Sequence, residues 1–474
     1  MRFLLLLPLF GCVVDAPKDA AAPTDAADDT AGGDTDVGDT DETDDTDDTD
    51  SGGLSDGPCA PVEVRAEATD IATVMRVRWR TEEPSQGHVA FGRDASYGHV
   101  TPLTELATEH EMLLLGMTAD TDVAYKVVTE NSTCNAESAQ QAARTGSLPS
   151  GLFPTRATGT ASWSGYSVLP LQGTGYAVVI IDNEGRYVWY HQVENMGNLM
   201  RAFLSADGKH VVICHAGPQE ALENGKIIKV SLDGSEVTEI PFPGLDHDIT
   251  ELPDGTIASI VVEEREGGIS ADRIVELAPD GTLTTIFNAW DIWDPAAIGV
   301  PSYERNWVHG NGLDYYADED AYYLSMKAMR TLAKIDRATG DVVWTMNGLL
   351  NEFDHSGGEP IQMHHQFEVL DGSILFFENG EPSRAYSRAV EVLVDEEAMT
   401  TEEIWSYIAD PPLYVFAKGD VHRLPGDITQ VVWSSAGQIQ DVSASGEVLW
   451  QLDLDLGQAM TFTQNVPSMY ASLW

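Results

Sequence analysis

Apolar and polar residues alternate with a period of two along most of this chain, the pattern of strands that bury one face. The clearest case is QMHHQFEVLDGSILFFENG, from Gln362 to Gly380. A strand-like run leads to Asp371-Gly372, and a second apolar run, Ile374 to Phe377, follows. Asp-Gly between two β-prone runs predicts a tight hairpin. The layout recurs: His247 precedes Gly255, and Met200 precedes Gly208, by the interval that separates His364 from Gly372. Between these hairpins lie turn-plus-strand elements, often with tryptophan, such as DNEGRYVWYH, DRATGDVVWTM and VSASGEVLWQL. Hairpin and outer pair alternate about six times, roughly every 50 residues, close to the size of one four-stranded blade. The pattern predicts an all-β fold whose main part, residues 153–474, is a six-bladed β-propeller. The starts of its inner strands would line a central channel.

A second set of short alternating runs, VEVRAE, TVMRVRWRT, GHVAFG, HEMLLLGM and DVAYKVVTE, fills residues 59–147. Seven strands over this length predict a small β-sandwich. Trp79, Tyr125 and the segment LLLGMTADTDVAYKVV resemble the fibronectin type III family. Cys59 and Cys134 bracket this domain and are expected to pair, which suits an oxidising compartment. Cys214 lies in the apolar run VVICHA and is expected to be a buried thiol.

Residues 1–11 read as a signal peptide with a short apolar core, too short to span a bilayer as a helix. Leu9-Phe10-Gly11-Cys12 resembles a lipobox, which implies lipidation of Cys12 and an extracytoplasmic, membrane-anchored protein. Residues 12–58 are Thr/Asp-rich. Asp15 to Asp56 holds sixteen acids and one lysine, a self-repelling spacer that buries nothing. The whole chain carries a net charge of −51, which excludes nucleic acid as a partner. The sandwich is a candidate surface for homodimer formation.

Three histidine-bearing stretches fall at the starts of inner strands: DHDITELPDG (His247), NWVHGNGLDYY (His309, with Asn311) and QMHHQF (His364, His365). A lone strand histidine is usually structural; three at matching blade positions suggest a site. Strand parity lets one of His364 and His365 face the channel. The interval to the turn glycine selects His364, and a bulge would select His365. YYLSMKAMR adds Ser325, Lys327 and Arg330, and His422 in DVHRLPGD is a weaker candidate.

These pieces, with KIDRATGDVVW, LDGSILFFENG, Ser387-Arg388-Ala389-Val390 and GEVLWQLDL, resemble in order and spacing the bacterial arylsulfate sulfotransferases. That resemblance implies a propeller enzyme that moves a sulfuryl group from a phenolic sulfate donor to a phenol acceptor. It implies no nucleotide sulfate, metal or other cofactor. It assigns a histidine nucleophile, sulfurylated in transit, to His364, with His247 and His309 in support. On chemical grounds a phenol of pKa near 10 leaves with a proton or beside a cation, and His309 or His247 is the expected source. Asn311, His365 and Arg330 would contact substrate. Lys327 stands where the family has arginine, which keeps the charge and loses the bidentate fork. Two other readings of the residues stay open. His247, His309 and His364, with Asp246 or Asp248, form a candidate metal set. A non-catalytic binding propeller is the other.

Overall fold

The computed structural model describes residues 57–471, with breaks at 153–154, 174, 194–196, 218–220, 301–304 and 456. The signal peptide, Cys12 and nearly all of the acidic spacer lie outside the described residues. Six sheets of four or five strands build the propeller. Blade two runs in spatial order through Asn198–Leu204, His210–Ala216, Lys226–Ser231 and Val237–Pro241, each strand antiparallel to the last. Blades three, four and five start at Leu245–Glu251, Gly310–Tyr316 and His364–Leu370, and blade six starts at Asp420–Leu424.

The two chain ends close the ring. Thr155–Gly159 adds an outer strand to blade six, and Ala459–Met460 with Gln464–Val466 supply the inner edge of blade one. Adjacent blades bury apolar faces against each other. Ile260 and Ile274 of blade three share a core with Leu324, Met326 and Tyr322 of blade four. Each such side chain contributes about 1.5–3 kcal/mol when fully buried.

Seven strands between Val62 and Arg144 form the smaller domain. Its strand Met75–Gly92 belongs to both layers and changes register between Arg80 and Ser85. Trp79, Phe91, Leu114 and Tyr125 fill the core between the layers. Cys59 and Cys134 are joined by a disulfide across 75 residues of chain. Replacing both with serine is expected to lower the stability of this domain by ~2–5 kcal/mol, read from denaturant unfolding. Unchanged unfolding would show that the sandwich core suffices. The domain docks on blades one and two. Ile71, Val74 and Leu115 enter the propeller core, Thr73 Oγ1 donates to the Val188 carbonyl, and Tyr470 Oη donates to that of Leu113.

The inner strands share one irregularity. Register slips between Leu199 and Ala202, Leu245 and Ile249, Gly310 and Gly312, and His364 and Phe367, in four consecutive blades. A bulge re-aims side chains and frees backbone groups. Asp248, fully buried, gathers several of them: it accepts from Arg201 Nε at 2.5 Å, Gln366 Nε2 at 2.7 Å and Leu313 N–H at 2.9 Å. Blades two, three, four and five are thereby tied together across the axis.

Candidate active site

His247, Asp246, Asn306, His309 and Asn198 line a cavity of about 620 Å³ where the inner strands begin. The rings of His247 and His309 stand 5.0 Å apart. His309 takes a left-handed backbone (φ 51°), and its N–H donates to Asn306 Oδ1 at 2.9 Å. Asp272, also fully buried, fixes this turn by accepting from Asn306 Nδ2 at 3.0 Å and Gly310 N–H at 2.5 Å. Burial and the neighbouring Asp246 push Asp272 up to about 7.

The histidines differ electrostatically. Burial opposes protonation of His247, but Asp246, whose Oδ1 lies 2.7 Å from Nδ1, and Asp272 outweigh it and raise its pKa. Burial, with the charges of His247 and Lys327, brings His309 down to about 2. His309 is therefore neutral at physiological pH and is a poor proton source. Lys327 follows the inner hairpin of blade four, and its N–H donates to the His309 carbonyl at 3.0 Å.

In blade five the slip separates the adjacent histidines. His365, 3% exposed, feels the charges of His247 and Lys327. Its Nδ1 lies 2.5 Å from Asn379 Oδ1. The Asn379 amide nitrogen donates to the carbonyls of Val415 (2.9 Å) and Lys418 (2.7 Å). The amide oxygen is therefore the acceptor, Nδ1 carries the proton, and Nε2 keeps its lone pair. Burial holds the pKa of His365 down to about 3, so the ring stays neutral.

His364 turns the other way. It is fully buried against Phe376, with Nδ1 2.7 Å from Ser325 Oγ, and burial lowers its pKa to about 4. The interval to the turn glycine selected His364; the structure brings His365 to the cluster, because the bulge breaks the parity on which that count depends. Asn311 is likewise buried. Its Oδ1 accepts from Ser325 and its Nδ2 donates to the His364 carbonyl, so it braces the strand and does not face the cavity. The Arg330 side chain is 48% exposed and paired with Glu381 at 2.6 Å, while its backbone hydrogen-bonds the buried His364. His422 binds Asp420 and Thr463 and lines a different cavity, with Arg201 and Glu368. Met200 is buried in the core, and blade two gives Asn198 to the cavity instead. Cys214 is a buried free thiol whose Sγ lies 3.3 Å from the Asp246 carbonyl. Among the described residues, no three His, Cys, Asp or Glu side chains converge as a metal-ligand set.

Asn379 and Asp272 escaped the sequence reading. Asn379 stands in FFENG, directly after Glu378, which pairs with His364 across the hairpin. Glu378 is itself buried, accepting from Arg384, Arg388 and the Gln362 N–H. A Glu-Asn pair ending a strand opposite His-His was a usable signal. Asp272 sits in an ordinary polar run, ISADRIVEL, and gave none.

Fold and site define a six-bladed propeller with a histidine cluster where its inner strands begin. The arylsulfotransferase family model matches residues 170–441, more than half of the chain, and the protein belongs to that family. It is 26% identical over 245 residues to the arylsulfate sulfotransferase AssT of Lelliottia amnigena, covering 44% of this chain and 37% of that one. It is 21% identical over 327 residues to the AssT of Escherichia coli O6:H1, covering 48% and 52%. The matched stretches thus span about half or less of those relatives. Among solved structures, a protein of unknown function from Bacteroides caccae aligns with 64% of this chain and 100% of its own, at TM-score 0.44 and 13% identity.

Proposed function

We propose that the protein transfers a sulfuryl group from an aryl sulfate to a phenol, with His365 as the transient carrier. The observation that carries this reading is the Asn379–His365 pair: a neutral imidazole, its Nδ1–H held, beside His247, His309 and Lys327. Nε2 attacks sulfur, the sulfur–oxygen bond to the aryl group breaks, and its electron pair leaves on the phenolate oxygen. An acceptor phenol then attacks the sulfohistidine and takes up the sulfuryl group. Splitting the exchange this way gives ping-pong kinetics. Charge spreads over the peripheral oxygens in transit, as in phosphoryl transfer. Lys327 and His247, whose protonated form Asp246 favours, are the groups to stabilise it. His309 serves as a neutral N–H donor.

The test is intact mass spectrometry of the purified protein after brief exposure to 4-nitrophenyl sulfate without acceptor. A single sulfuryl gain in wild type and in His364→Ala, absent in His365→Ala, is expected. A gain surviving in His365→Ala would move the carrier to another residue. No gain and no nitrophenol from wild type would overturn sulfuryl transfer and favour a binding propeller.

Extracytoplasmic anchoring through lipidated Cys12 belongs to the same proposal. Cys12→Ser is expected to shift the protein from membranes to the soluble fraction and to remove incorporated fatty acid. Acyl label retained in that variant would sink the lipobox reading.

A further inference from the structure

Lys418 enters the inner strand of blade six two residues before Asp420, close to the place His309 holds in blade four. Its backbone is left-handed (φ 63°), and Gly419 follows. A Cβ on Gly419 would run into the Phe377 ring at 2.1 Å, so glycine is required for the chain to pass this close. The segment is clamped from below. Ser387 Oγ accepts the Val415 N–H at 2.9 Å, and Asn379 donates to the carbonyls of Val415 and Lys418. The side chain that orients His365 therefore also fixes the backbone of Lys418.

The Lys418 side chain is mostly buried, and Nζ donates to a neutral acceptor, Gln172 Oε1, at 3.1 Å. It forms no ion pair with a described carboxylate, in a chain with 77 acids and 26 bases. A buried ammonium without a counter-ion is costly unless an anion joins it. The Asn379 amide bonds both His365 Nδ1 and the Lys418 carbonyl, which sets Lys418 beside the histidine cluster, and its charge opposes protonation of His247.

We propose that Lys418 is a further catalytic residue, the ammonium that protonates the departing aryl oxygen. This rests on the sulfuryl-transfer reading above. As Nε2 of His365 bonds to sulfur and the sulfur–oxygen bond breaks, the electron pair on the aryl oxygen takes a proton from Nζ, leaving a neutral amine. In the second half the amine takes the proton of the acceptor phenol as its oxygen attacks sulfur, and the ammonium returns. No external acid or base is consumed. Burial lowers the Lys418 pKa to about 8, between neutral pH and a simple phenol near 10, which suits a group that must both give and take this proton. His309, held near 2, is not charged to do so.

The test compares phenyl sulfate with 4-nitrophenyl sulfate, whose nitro group already stabilises the leaving phenolate. Lys418→Met is expected to lower kcat/KM for phenyl sulfate by about 10²-fold and for 4-nitrophenyl sulfate by less than about tenfold. Lys418→Arg keeps the charge but holds its proton, so it should share the phenyl sulfate defect. Equal losses on both donors, or an arginine variant that turns over phenyl sulfate at the wild-type rate, would overturn the assignment. Wild-type protein inactive on both donors would instead sink the sulfuryl-transfer reading, and the role of Lys418 with it.

Discussion

Replacing His365 by alanine is expected to lower sulfuryl transfer by about 10⁴-fold or more, the scale seen when an essential nucleophile is removed. Both half-reactions should fail together, because the imidazole that takes the group from the donor also gives it to the acceptor. His364→Ala should keep ping-pong kinetics at a reduced rate. It leaves a hole against Phe376 and Ser325 but touches neither Nε2 of His365 nor Asn379. The pair of variants separates two side chains that are adjacent in sequence and face opposite ways. Equal activity of His365→Ala and wild type, with His364→Ala inactive, would restore the assignment made from turn spacing. The nucleophile itself sets no limit near neutral pH. With His365 held near pKa 3 by burial, its lone pair is free well into the acid range.

The second large effect concerns stability. Asp248→Ala is expected to destabilise the propeller by about 3–5 kcal/mol, because it leaves the Arg201 guanidinium in the inner ring without its counter-ion. It also removes the acceptor of the Leu313 N–H and one of the two acceptors of Gln366 Nε2, which keeps the Asn311 carbonyl at 3.2 Å. Asp248→Asn should lose less, since its amide oxygen can still accept from Leu313 N–H. Urea unfolding midpoints, at comparable slopes, read the difference. A loss for Asp248→Ala below about 1 kcal/mol, the range of an exposed pair, would mean that the ring is not held together here. The effect should extend to activity. Gln366, which Asp248 anchors, directly follows His365, so loosening it should also slow transfer at temperatures where the variant remains folded.

The blade repeat was legible because each blade restates one requirement: alternate residues must enter an apolar gap between sheets, and Asp-Gly or its equivalents must turn the hairpins. His247 and His309 were legible as neighbours because they stand at equivalent strand starts, and their rings lie 5.0 Å apart; Lys327 was named from the family resemblance, not from the repeat. Arg330 and Asn311 were not placed, since a long side chain is decided by its nearest partners. Glu381 captured one, and Ser325 with the His364 carbonyl captured the other.

The sequence by itself determined the all-β class, the hairpin periodicity and the strand starts at which the histidines cluster, because these follow from side-chain polarity and turn chemistry along a single strand. Only the tertiary structure decided which of His364 and His365 turns toward His247 and His309, and that Asn379 holds its Nδ1. A one-residue slip between neighbouring strands reverses every side chain beyond it, and that slip is set by how blades pack around a shared axis, which no local pattern records.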